Sequence, residues 1–249
     1  MDIVVCIKQV ADITDVDLEL NEAGTELERE DLVLGINEWD DYAVETAVRI
    51  KEAHGAKVTV LTVGPEETVL RRALAMGADH AVRVEAHGAE GMGIARAIAA
   101  VIRERPCDLV LTGAMASDTC QGLVGPALAA MLGIPHAALA VGLELRERSV
   151  RVRRELEANT IEEVDLDLPA LVTVQTGISQ RRYVSVMGIR RVRRIEIEVL
   201  DAGPVESSAI QHSRLSLPQR GEGAEMLEGS LSEICERAAR IIHERLGGR

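Results

Sequence analysis

The chain has 249 residues, 47% of them hydrophobic, enough to bury the core of one large α/β domain with an appendage. Its formal net charge of −13 argues against nonspecific attraction to nucleic acid or to an anionic membrane, because the average surface field repels phosphate. No Phe, one Trp and two Tyr leave no stacking platform for single-stranded nucleic acid, and four cysteines without a C-x-x-C pair give neither a zinc site nor a disulfide framework.

No apolar run approaches the length of a membrane span, and the chain opens on Asp2-Ile3-Val4-Val5 without a charged leader. A cytoplasmic protein with reduced thiols is expected. Short β-branched runs then alternate with stretches of helical period, the pattern of a parallel sheet covered on both faces. The strand candidates are Ile3 to Ile7, Val58 to Val63, Ala81 to Val84, Leu109 to Leu111 and Leu171 to Val174, giving an open, mainly parallel five-stranded sheet of Rossmann-like α/β class.

The spacing predicts a first helix from Asn37, as N-cap residue, to Gly55, with Ala43, Val44, Ala47, Val48 and Ile50 facing the core. A second follows Pro65 and stops at Gly77; a third spans about Ala89 to Arg105; a fourth begins near Gly122 and ends at Gly133. Between Leu143 and Leu168, apolar and charged residues alternate around Glu147-Arg148-Ser149, predicting an antiparallel hairpin at the sheet edge.

Residues 1–198 are thus expected to form the α/β domain and 199–249 an extended arm, marked by Ala202-Gly203-Pro204 and Arg220-Gly221-Glu222-Gly223. The arm ends in an amphipathic helix with a capping box, Ser230 and Glu233. Its stripe of Ile234, Ala238, Ile241, Ile242 and Leu246 needs cover from its own domain or, the favoured reading, from a partner.

Open parallel sheets bind ligands beyond the carboxyl ends of their strands, so Lys8, Gln9, Gly64 and the segment from Gly113 to Gly122 are the residues to consider. The last of these joins a buried strand to a helix start. It reads equally as a phosphate cradle and as an ordinary connection with Asp118 or Thr119 as N-cap. There is no G-x-x-x-x-G-K-[ST], Gly91-Met92-Gly93 has Arg96 where a dinucleotide fingerprint needs its last glycine, and no catalytic constellation emerges among the histidines or around Ser117. Arg181, Arg182, Arg190, Arg191, Arg193 and Arg194 form a local basic stretch, either a solvated face or an interaction surface.

Several segments together resemble the electron-transfer flavoprotein beta subunit and its nitrogen-fixation-associated relatives. They are Ile7-Lys8-Gln9-Val10 with Asp12; Asn37 with Asp40 and Ala43; Leu74-Ala75-Met76-Gly77-Ala78-Asp79; Arg154-Glu155-Leu156-Glu157; Leu168-Pro169-Ala170-Leu171-Val172-Thr173-Val174; and Arg182-Tyr183. The resemblance runs from the first strand to about Arg194 and implies an electron carrier rather than an enzyme. It implies a heterodimer with an alpha subunit, on which the arm packs, with a redox FAD shared between the two. It further implies AMP or a second FAD in this chain.

By position, the resemblance places that nucleotide at Cys6, Asn37, Asp40, Val63, Gly113, Ala114, Met115, Asp118, Thr119, Cys120, Gln121, Gly122, Leu123 and Val124, and Ile13 near the flavin. It implies docking through Arg182, Tyr183, Val186, Met187 and Ile189, with Val186 as the anchor; the other reading of Val186 and Ile189 is that they pack inward. The implied electron donors are flavin dehydrogenases of the acyl-CoA dehydrogenase type, and the acceptor is a quinone-reducing flavoprotein or an iron–sulfur protein. Leu123 stands where relatives of this subtype have Gln, Cys120 where they have an acid, and Arg181 where other members have Pro. A stand-alone adenine-nucleotide sensor on the same scaffold is the alternative.

Overall fold

The computed structural model describes residues 1–13, 16–28, 32–86, 90–203, 213–217 and 223–247. Strand β1 (Asp2–Cys6) is followed by a small antiparallel pair, β2 (Gln9–Asp12) and β3 (Val33–Ile36), and then by α1 (Glu38–His54). The chain continues through β4 (Lys57–Val63), α2 (Thr68–Met76), β5 (His80–Glu85), α3 (Met92–Arg103), β6 (Leu109–Gly113) and α4 (Val124–Leu132). Next come β7 (His136–Leu145), β8 (Ser149–Leu156), β9 (Thr160–Asp167), β10 (Ala170–Val174), α5 (Val186–Val192), β11 (Glu198–Asp201) and α6 (Leu231–Arg245).

These strands build a nine-stranded sheet in the order β11-β5-β4-β1-β6-β10-β7-β8-β9. From β11 to β7 every neighbouring pair is parallel; β8 and β9 continue it antiparallel. All the expected strands are present, and the sheet is wider than the five expected. The edge hairpin begins seven residues earlier than the alternation suggested, because β7 starts at His136 beside β10 before turning into β8. At the other edge β11 pairs with β5 across the expected domain boundary at residue 198.

Strand β1 is buried on both sides, as a central parallel strand must be. Ile3 and Val5 join the core under α1 and α2, while Val4 and Cys6 join the core under α3 and α4. Helix α1 carries Glu38, Asp40 and Asp41 in its first turn and Lys51 and His54 in its last, matching the helix dipole, and it stops at Gly55 with φ 71°. The third helix starts at Met92; its expected start, Ala89, lies outside the described residues.

From β1 the chain winds outward through β4 to β5, then α3 carries it back across the opposite face to β6 on the other side of β1. Neighbouring connections therefore diverge at the carboxyl ends of β1 and β6, where such sheets open a crevice.

Helix α6 opens with the expected capping box: Ser230 Oγ accepts from Glu233 N, and the Glu233 carboxylate accepts from Ser230 N at 2.8 Å. None of its residues is buried, and Leu231, Ile242 and Leu246 stand in solvent. The Pro204 and Arg220–Glu222 parts of the expected arm lie outside the described residues.

Candidate functional site

One carboxylate ties the two diverging strand ends together. Asp40, in the first turn of α1, accepts Lys8 N–H at 2.8 Å and Gly113 N–H at 2.9 Å. Burial lifts its carboxyl to about 7, opposed by these two main-chain donors, the Asn37 side chain and the Lys8 charge. Gly113 has to be glycine, since a Cβ there would run into the Asp40 carboxylate and lie 2.7 Å from Trp39 Cβ.

Asn37 occupies the N-cap position, yet its side chain makes no cap bond. It reaches instead across 80 residues of sequence: Nδ2 donates to Met115 O at 2.8 Å and Oδ1 accepts from Ser117 N at 3.1 Å. The first turn of α1 thus shapes the loop after β6. Cap-and-periodicity reasoning reads only local partners and had no signal for this.

That loop starts with Ala114 N–H bonded to Val174 O and turns at Cys120, with φ 50°, and Gly122, with φ 58°. Thr119, Cys120, Gln121 and Leu123 are exposed. Asp118 does not cap α4, and neither does Thr119; the N-cap is Leu123, which offers no side-chain acceptor. Asp118 is held by Lys8 Nζ at 2.6 Å and 2.7 Å, so the acid in the loop is matched by a cation from the end of β1.

The start of α3 stands beside the start of α4. A Cβ on Gly91 would lie 3.3 Å from Leu123 Cδ2. Neither helix has a side-chain cap or an acidic residue in its first turn, so the positive ends of two helices meet at this side of the sheet. Cys6, Val63 and Val124 belong to the apolar cluster beneath them. Burial drives the Cys6 thiol far above its ordinary value, with Asp40 and Cys107 adding to it, so it is an inert wall. Ile13, just after β2, is exposed.

A second group of the singled-out residues lies on and before α5. Tyr183 is 89% exposed, Val186 64%, Met187 58% and Ile189 40%, whereas Val192 is buried. Val186 and Ile189 do not pack inward. Arg182 faces the protein, with Nε donating to Glu45 at 2.7 Å, NH1 to Glu52 at 2.9 Å and to Met76 O at 3.0 Å. Arg181 pairs with Glu38 and Asp41 and lies over the Tyr42 ring, 4.9 Å from its centroid. Among the described residues no three of His, Cys, Asp and Glu gather as a metal site, and no helix is long and apolar enough to cross a membrane.

A doubly wound, mainly parallel sheet covered by helices, with glycine-turned main chain at its switch point, defines the class: a Rossmann-like α/β protein. The comparisons with known proteins narrow it. The family model of the electron transfer flavoprotein domain matches residues 24–205. The chain is 34% identical to the electron transfer flavoprotein subunit beta of Methylophilus methylotrophus, over 99% of this chain and 100% of that one. It is 32% identical to the same subunit of Bacillus subtilis, over 83% and 85%, and 30% identical to protein FixA of Azotobacter vinelandii, over 80% and 74%. The chain belongs to the electron transfer flavoprotein beta-subunit family, whose members are subunits of electron carriers.

Proposed function

We propose that the chain works as one half of a cytoplasmic heterodimer, sharing a redox FAD with an alpha subunit and holding AMP or a second FAD at its own switch point. The observation that carries this is the end-to-end similarity to a beta subunit, 99% of this chain against 100% of the relative. The switch point fits a nucleotide. Two helix N-termini without acidic residues in their first turns adjoin, Thr119, Cys120, Gln121 and Leu123 are exposed, and Lys8 offsets the one carboxylate in the loop.

In this reading Gly113 to Val124 take the phosphate end through main-chain N–H groups, with Cys6 and Val63 as apolar floor. Asn37 and Asp40 hold the loop in register from behind, and Leu123 offers an aliphatic contact where an amide would donate. Ile13 borders the flavin. The flavin, when bound, supplies the electron chemistry, and this chain supplies placement and exclusion of water.

Electrons arrive from a flavin dehydrogenase of the acyl-CoA dehydrogenase type and leave to a quinone-reducing flavoprotein or an iron–sulfur protein. Val186 is the docking anchor, with Tyr183, Met187 and Ile189 around it. The segment from 199 onward is the arm that packs on the alpha subunit. Helix α6, with no buried residue, favours this over a stand-alone nucleotide sensor. Mixing the purified heterodimer with substrate-reduced acyl-CoA dehydrogenase should bleach the flavin absorbance of the heterodimer; a flavin that stays oxidised would contradict the reading.

A further inference from the structure

Helix α5 is seven residues long, too short to hold its shape by itself, so its position must come from the elements beneath it. It packs on α2, with Val192 buried and Gly188 against Ala75. Both of its ends are fastened by arginine. At entry, the Arg182 guanidinium grips Glu45 and Glu52 of α1 and the Met76 carbonyl that closes α2. At exit, Arg71 of α2 donates from NH1 to the carbonyls of Val192, Arg193 and Ile195, while its NH2 is steadied by Glu67 at 3.0 Å.

The entry clamp differs from an ordinary surface pair. The Glu45 side chain is 2% exposed, and burial would raise its carboxyl, yet the Arg182 and Arg49 guanidinium groups hold it below the usual range. A planar fork that meets two carboxylates and a carbonyl together fixes direction as well as distance. The outer side of α5 is left apolar, with Val186, Met187 and Ile189 pointing to solvent.

We propose that Arg182 and Arg71 are positioning residues for partner docking: they clamp the two ends of α5 on α1 and α2, so that the Val186 face is presented already in its bound arrangement. The proposal rests on the docking reading of Val186. Its physical content is preorganisation. A segment that must order itself on contact loses apparent affinity by the fraction of time it spends out of place.

The test uses the heterodimer with its alpha partner, with substrate-reduced acyl-CoA dehydrogenase as the docking probe. Amide hydrogen exchange over residues 185–193 reads the clamp, and KM for the probe reads docking. Arg182→Gln and Arg71→Gln should each speed exchange there and raise KM about tenfold, with a much smaller fall in the limiting rate. Arg71→Lys, which keeps a cationic donor for the carbonyls, should recover most of both. If Arg182→Gln leaves buried Glu45 short of partners and the chain does not fold, Glu52→Gln removes the exposed half of the grip and serves in its place. Unchanged exchange, or faster exchange without a rise in KM while Val186→Ala does raise it, overturns the clamp and leaves docking intact. No rise in KM with Val186→Ala sinks the docking reading and the clamp with it.

Discussion

At the crevice between β1 and β6, single atoms decide what is tolerated. Gly113→Ala would push a methyl group into the Asp40 carboxylate and Trp39, and overpacking of that kind costs about 1–3 kcal/mol, readable as a lowered denaturant midpoint. Gly122 turns at φ 58° and a Cβ there would lie 3.3 Å from Ala114 O, so Gly122→Glu adds about 1–2 kcal/mol of backbone strain and a tight contact, and it sets a negative charge among the proposed phosphate donors. Adenine content per polypeptide should drop while the circular dichroism stays that of the parent; full occupancy would remove the loop from the site.

Asp40 supplies a pH signature. Its folded value of about 7 lies above the ordinary 3.8, so the folded state binds this proton more tightly than the unfolded chain does. Its contribution is greatest below the unfolded value and is lost as pH rises through the folded one. Between about pH 4 and about pH 8 the melting temperature of the parent should therefore decline more steeply than that of Asp40→Asn, which has no proton to lose. Equal slopes would mean a carboxylate ionised throughout.

Among the elements, α5 and its arginines carry the docking argument. Arg190 and Arg191 sit exposed in the last turn, beside the apolar face. If they steer an acidic partner, Arg190→Glu with Arg191→Glu should slow association and flatten its dependence on ionic strength. A salt dependence as steep as that of the parent would make them a solvated face.

The elements legible in the sequence are those whose signals are local. Gly55 and Gly77 stop α1 and α2, Ser230 and Glu233 open α6, and the β-branched runs give the central strands. What escaped depends on distant partners. Strand β11 gains its identity from main-chain pairing with β5. The Asn37 side chain serves Met115 and Ser117, and Arg182 is bound to Glu52 and Glu45, 130 and 137 residues earlier. No window along the chain contains such pairs.

For the whole molecule, the main body and α6 behave differently. The sheet is covered by helices on both faces, while α6 presents Ile241, Ile242 and Leu246 to solvent. Covering such side chains contributes at most roughly 1.5–3 kcal/mol each, before the cost of association. Deletion from Ser230 onward should leave the melting of the sheet domain unchanged and weaken retention of the alpha subunit in a pull-down; equal retention would place the interface elsewhere. The most direct measurement of the account is to purify the chain with its alpha subunit, denature the complex in acid, and identify and count the released nucleotides. The account predicts one FAD together with one AMP, or two FAD, per heterodimer. A complex that releases a single FAD and no further adenine nucleotide, or a chain that purifies alone with no flavin, would contradict it.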